Sequence, residues 1–197
     1  MTTVVESQPS GVENTRERLP SCALALFAEF SFEGTSLQMI ADALGVTKAA
    51  VYHHFKTRED ILLAVVRPFL ADLAQVVARA EAARGRRPQI ECMLGGFVDL
   101  AVHNRAMVSM ITSDAGVTRA LHGRGEYLAL INRSLALITG PAPTPEILVA
   151  ATMALVGIAN TVTAEPVAAL PEPQLRLHLL DAARRALGLR RRPDTGP

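Results

Sequence analysis

The chain's two cysteines, Cys22 and Cys92, stand in no metal-ligand or redox spacing, which argues against a disulfide framework and against a cysteine-based zinc site. Both read as small buried hydrophobes. Catalytic signatures are missing too: no Gly-x-Ser-x-Gly, no His-Glu-x-x-His and no phosphate-cradling glycine loop occurs, so we expect no enzyme and no cofactor. The adjacent His53 and His54 do not alter this, because neighbouring helical residues point about 100° apart and do not converge on one metal ion. Long apolar runs are scarce. The first twenty residues hold no signal-peptide core, and the longest nearly apolar stretch, Ile147 to Ala159, is too short to cross a bilayer. A cytoplasmic protein without a membrane partner is the expectation. Lysine is the last shortage: of the twenty cations only two are lysines, Lys48 and Lys56.

What is present is apolar and helical in pattern. A hydrophobic content of 49% over 197 residues suffices for the cores of one small and one larger helical domain. Residues 35–61 carry the most information. Thr35 or Ser36 supplies a hydroxyl N-cap, after which Leu37, Ile40, Ala41 and Leu44 recur at helical spacing. Gly45 follows the last of them, where a left-handed residue ends a helix. Val46 fills the corner and Thr47 caps a second helix through Phe55. Val51 and Phe55 point inward, which leaves Lys48, Ala49, Tyr52 and His53 outside as a recognition face. Thr57 with Asp60 forms a capping box that starts another helix, and Lys56 precedes it.

Leu26, Phe27, Ala28, Glu29, Phe32, Thr35, Ser36, Ile40, Ala41, Gly45, Val46, Thr47, Tyr52, His54 and Phe55 together resemble the N-terminal helix-turn-helix of the TetR family of transcriptional regulators. The resemblance covers about residues 18 to 63. It implies an all-α fold, with a three-helix DNA-binding domain joined to a larger helical domain for ligand binding and dimerisation. It also implies a homodimeric repressor that binds a palindromic double-stranded operator and is released by a small molecule. The residues it assigns to DNA are Thr35, Ser36, Thr47, Lys48, Ala49, Tyr52, His53 and Lys56. Tyr52, Thr47 and Lys56 would hold phosphates, while Lys48, Ala49 and His53 would face bases. Two positions depart from the family pattern. Pro20 lies within the expected first helix, which either begins there or kinks, and Ser31 stands where glycine is usual.

Charge runs against the DNA reading. Residues 1–60 hold five cations and eight anions, whereas a DNA-binding domain usually presents a basic footprint. The footprint must therefore be local, with weak non-specific binding and reliance on a dimer. This keeps a second reading open, a small-molecule-binding helical protein whose helix-turn-helix no longer functions.

The expected organisation is a disordered arm over 1–12, the helix-turn-helix domain over 13–60, the larger helical domain over 61–188 and a disordered tail over 189–197. Helices are predicted at 57–83, with Pro68 as a kink, and at 89–103, 105–112, 126–139, 146–164 and 172–187. Residues 113–125 read as a loop, and a proline-bearing connection spans 165–173. The helix at 146–164 is apolar almost all round, so more than one side must be covered. Its small residues Ala150, Ala154 and Gly157, with Leu175, Leu179, Ala182, Ala183 and Ala186 of the last helix, are the candidate dimer face, which resembles the family's four-helix bundle. Met93, Phe97, Met107, Met110, Ile111, Tyr127, Ile131, Leu135, Met153 and Asn160 are the candidate lining of a cavity for an apolar or amphipathic effector. Asn132 and Asn160 either orient that ligand or bond to backbone and water. His103 is expected to pair with Asp99 one turn earlier, and His122 to lie on the surface.

Overall fold

The structure is a computed structural model that describes residues 11–189. Residues 1–10 of the expected arm and 190–197 of the expected tail lie outside the described residues. Of the rest, Gly11 and Val12 lie in α1, and Leu189 packs against the hydrophobic core and donates its backbone N–H to Arg184 at 2.8 Å. The described residues form helices and no strand, in two compact units that divide between Val65 and Val66.

The first unit contains α1 (Gly11–Gly34), α2 (Leu37–Leu44), α3 (Lys48–His54) and the start of α4 (Arg58–Ala82). Pro20 neither starts α1 nor marks its break; the helix runs through it and the non-helical residue is Ser31, at φ 65 and ψ 165. Leu19, Ala23, Phe27, Phe32, Ile40, Leu44, Val51 and Ile61 are buried, with Phe27 and Phe32 edge to face at 5.3 Å. Thr57 and Asp60 cap α4 reciprocally: each backbone N–H donates to the other's side-chain oxygen at 3.0 Å.

The second unit holds the rest of α4 and seven further helices. These are α5 (Arg86–His103), α6 (Arg105–Ser113), α7 (Ala115–His122), α8 (Gly125–Thr139), α9 (Pro145–Thr161), the single turn α10 (Glu165–Ala168) and α11 (Glu172–Ala186). By length and composition α4 is able to cross a membrane, but Val66, Phe69, Leu73, Val76, Val77 and Ala80 are spent on the protein's own core. The proposed loop at 113–125 is largely α7. Asp114 caps it by accepting from the N–H groups of Gly116 at 2.8 Å and Val117 at 3.1 Å, and Val117 and Leu121, four apart, are fully buried. α5 starts three residues earlier than predicted, since Pro88 falls in the first turn, where a missing N–H is not needed.

Ion pairs tie these helices together: Arg133 to Glu81 at 2.8 Å, Arg184 to Glu91 at 2.7 Å, and Arg176 to Asp99. The last replaces the expected pair of Asp99 with His103, whose Nδ1 instead meets the backbone oxygen of Asp99 at 2.7 Å. The Arg86 guanidinium donates to the Leu137 and Ile138 carbonyls at the end of α8, supplying a positive charge where unpaired carbonyls collect.

Candidate nucleic-acid interface and ligand cavity

The helix-turn-helix is built from local chemistry. Ser36, in extended backbone, accepts the Met39 N–H at 3.2 Å and so caps α2. Gly45 is left-handed at φ 70, and its N–H donates to the Ala41 and Asp42 carbonyls. Val46 N–H also reaches Ala41 at 3.0 Å, closing the turn in the manner of a glycine-terminated helix. Thr47 then caps α3 by accepting from Ala50 at 3.2 Å. Val51 anchors α3 with no exposure, while Phe55 is half-buried at its C-terminal end.

Lys48, Ala49, Tyr52 and His53 all face outward, and Tyr52 is 51% exposed. Lys56 joins them: its Nζ donates to the Tyr52 carbonyl at 3.0 Å and lies 4.6 Å from the Tyr52 ring centroid. A cation, a phenol and a helix end are thereby gathered in one place. Thr35 must be removed from the list of candidate DNA contacts. It is 1% exposed, and its hydroxyl donates to the Ser31 carbonyl at 2.8 Å and the Leu26 carbonyl at 3.2 Å. It clasps the junction between α1 and α2 instead.

Sequence reasoning also overlooked Arg58. Its Nη1 donates to the carbonyls of Phe32 at 3.2 Å, Glu33 at 2.7 Å and Thr35 at 3.2 Å, and the guanidinium lies 5.3 Å from the Phe32 ring. One cation thus satisfies carbonyls that the helix junction leaves open, with charge-assisted bonds. No local pattern announces this, because the partners lie more than twenty residues away in sequence.

The second unit carries a pocket of about 270 Å³ that is partly open to solvent, with His122, Val156 and Asn160 exposed at its mouth. Five candidates line it: Phe97, Ile111, Tyr127, Ile131 and Asn160. Met93, Met107, Met110, Leu135 and Met153 do not. Met93 and Met110 are buried in the core, Met107 and Leu135 pack against it, and Met153 is 66% exposed. Met93 and Met110 thus fill gaps in the core, a use that suits their adaptable side chains. The walls missed in the sequence include Phe69 and Leu73 of α4, Val108 and Thr112 of α6, and His122 of α7, whose ring lies 5.8 Å from that of Tyr127. Ser134 of α8 and Leu155, Val156 and Ala159 of α9 complete them. Asn132 is exposed and takes no part. Asn160 donates its amide to the Val156 carbonyl at 2.8 Å.

The candidate dimer face is also rearranged. Ala154, Leu175, Leu179 and Ala183 are buried in the unit's own core, and Ala150 is half-buried. Gly157, Ala182 and Ala186 are exposed. The outward side of α9 carries Val149, Met153 and Val156, and that of α11 carries Leu177, at 57%, 66%, 54% and 48% exposure. A helix apolar all round gives no sequence signal for which side is core.

Residues 21–65 match the family profile of bacterial regulatory proteins, tetR family. The match takes in the end of α1, the whole of α2 and α3 and the start of α4, the helix-turn-helix of the first unit. Among curated relatives, the transcriptional repressor KstR2 of Rhodococcus jostii is 37% identical over 73 residues, 37% of this chain and 36% of that protein. The repressor AcnR of Corynebacterium glutamicum is 34% identical over 65 residues, 33% of this chain and 35% of that one. The matched segment thus spans about a third of the length of these relatives, both transcriptional repressors. Among solved structures, NalD of Pseudomonas aeruginosa, a secondary repressor of a multidrug efflux pump, superposes with a TM-score of 0.66 at 21% identity, covering 89% of this chain and 97% of that one. A TetR-like regulator from Rhodococcus sp. RHA1 gives 0.66 at 16%, covering 93% and 99%. The described residues share the helical fold of these structures.

Proposed function

We propose that this protein is a transcriptional repressor that binds a palindromic operator as a homodimer and is released by a small molecule. The observation that carries this reading is the outward face of α3, where Lys48, Tyr52 and His53 are exposed, with Lys56 just past its end, while Val51 fixes the helix from below. Thr47, Tyr52 and Lys56 hold phosphates, and Lys48, Ala49 and His53 meet base edges. Ser36 sits at the N-terminus of α2 and adds a further phosphate contact. Two copies joined through the exposed sides of α9 and α11 place two recognition helices on half-sites about one duplex turn apart. A ligand in the second unit's cavity favours a dimer with the wrong half-site spacing, a coupling typically of about 1 to 3 kcal/mol. Such a repressor works where the DNA is, in the bacterial cytoplasm.

The test is a gel-shift titration on the DNA flanking the protein's own coding region, at two salt concentrations, with unrelated duplex as competitor. Selective binding that weakens with salt is expected. Tyr52→Ala removes both a phosphate ligand and the ring beneath Lys56, and should lower operator affinity more than about tenfold, or 1.4 kcal/mol. Circular dichroism and dimerisation should not change, and undiminished affinity in a folded variant would overturn the assignment. The net excess of anions in residues 1–60 favours one other reading, a ligand-binding protein that has lost its operator. No salt-dependent selectivity together with retained ligand binding would decide for it.

A further inference from the structure

The cavity of the second unit has a definite chemical character. None of its lining residues is aspartate, glutamate, lysine or arginine. Most polar groups on its walls are already engaged: the Thr112 hydroxyl donates to Val108, the Ser134 hydroxyl to Leu130 and the Asn160 amide to Val156, each at 2.8 to 2.9 Å. The exceptions stand together. The Tyr127 hydroxyl makes no hydrogen bond among the described residues, and its ring lies 5.8 Å from the His122 imidazole at an interplanar angle of 43°. Burial pushes the Tyr127 phenol above the ordinary tyrosine pKa, so it stays protonated and able both to donate and to accept. Phe69 and Phe97 add two further rings to the walls.

Size follows by comparison. A dry apolar cavity of about 150 Å³ holds one benzene, so about 270 Å³ takes two fused or linked rings, about a dozen non-hydrogen atoms. Charge follows from the walls. An ammonium group would surrender hydration with no carboxylate to meet it, and a carboxylate with no lysine or arginine to meet it, at a cost of several kcal/mol. We infer that this cavity takes an uncharged, two-ring aromatic molecule carrying a single hydroxyl or carbonyl group, which Tyr127 and His122 hold at one end. This inference rests on the reading of the second unit as the ligand-binding half of a repressor.

Calorimetric titration of the full chain with 2-naphthol, naphthalene and 2-naphthoate tests it, with operator release followed in parallel by gel shift. One 2-naphthol per chain is expected to bind, and 2-naphthoate at least about a hundredfold more weakly. Tyr127→Phe should weaken 2-naphthol about tenfold and leave naphthalene unchanged, which separates a lost hydrogen bond from a damaged cavity. Equal binding of 2-naphthoate, an unaltered 2-naphthol affinity in Tyr127→Phe, or no binding of either neutral probe overturns the inference. If operator binding survives in that last case, the repressor reading stands while the ligand class falls. If 2-naphthol binds in the expected pattern and operator affinity does not move, the ligand class stands while ligand-driven release falls.

Discussion

Ser31 holds φ 65 and ψ 165, a region reached readily only by glycine, where another residue carries strain of about 1 to 3 kcal/mol. Part of that is offset locally, since its hydroxyl accepts the Gly34 N–H at 3.2 Å and its carbonyl accepts the Thr35 hydroxyl at 2.8 Å. Ser31→Gly loses the first bond but relieves the strain, whereas Ser31→Ala loses the bond and keeps the strain. The glycine variant should therefore be more stable than the alanine variant by about 1 to 2 kcal/mol, read from urea midpoints of the purified chains. Equal stabilities would show that the strain is not there. The departure from glycine at this position was legible in the sequence. Its geometry, and the clasp that Thr35 builds around it, were not, because the clasp joins Thr35 to carbonyls four and nine residues back across a break in the helix, where no helical period marks them.

Helices whose caps and stripes are local were read well, as with Ser36, Gly45 and Thr47 around α2 and α3. α7 was missed because Gly116, Gly123 and Gly125 give the segment the composition of a loop, although Asp114, Val117 and Leu121 hold the signal of a capped helix. Contacts between helices are less legible still. At Gly96 an added Cβ would stand 2.6 Å from Cγ1 of Val76, so α4 and α5 approach closely only because that side chain is absent. Valine is stiff at χ1 and Val76 is buried, so it has little room to yield. Gly96→Ala should cost about 1 to 3 kcal/mol. Combined with Val76→Ala it should cost less than the two single losses added together, since the second change removes the obstacle. Strict additivity in urea denaturation would refute the close approach.

For the molecule as a whole, the exposed apolar sides of α9 and α11 set the predicted assembly. Val149, Met153, Val156 and Leu177 stand in water in the single chain, and such a cluster reads as an interface. Met153→Glu places a charge at its most exposed point, where no core contact is lost. Sedimentation should show a monomer with unchanged helical content, and operator affinity should fall with it. A dimer that persists at low micromolar concentration would move the interface elsewhere. Periodicity showed that α9 needed cover on more than one side, but not that Ala154 looked inward and Met153 outward, since both sides are apolar.

Val156 and Asn160 belong at once to the cavity lining and to the exposed side of α9. With a second copy seated on that side, filling the cavity and pairing the chains draw on the same two side chains. By mass action the affinity for the small molecule then depends on how much of the chain the cell contains. On the proposed reading, the protein would gauge its own abundance with the same helix that senses its signal.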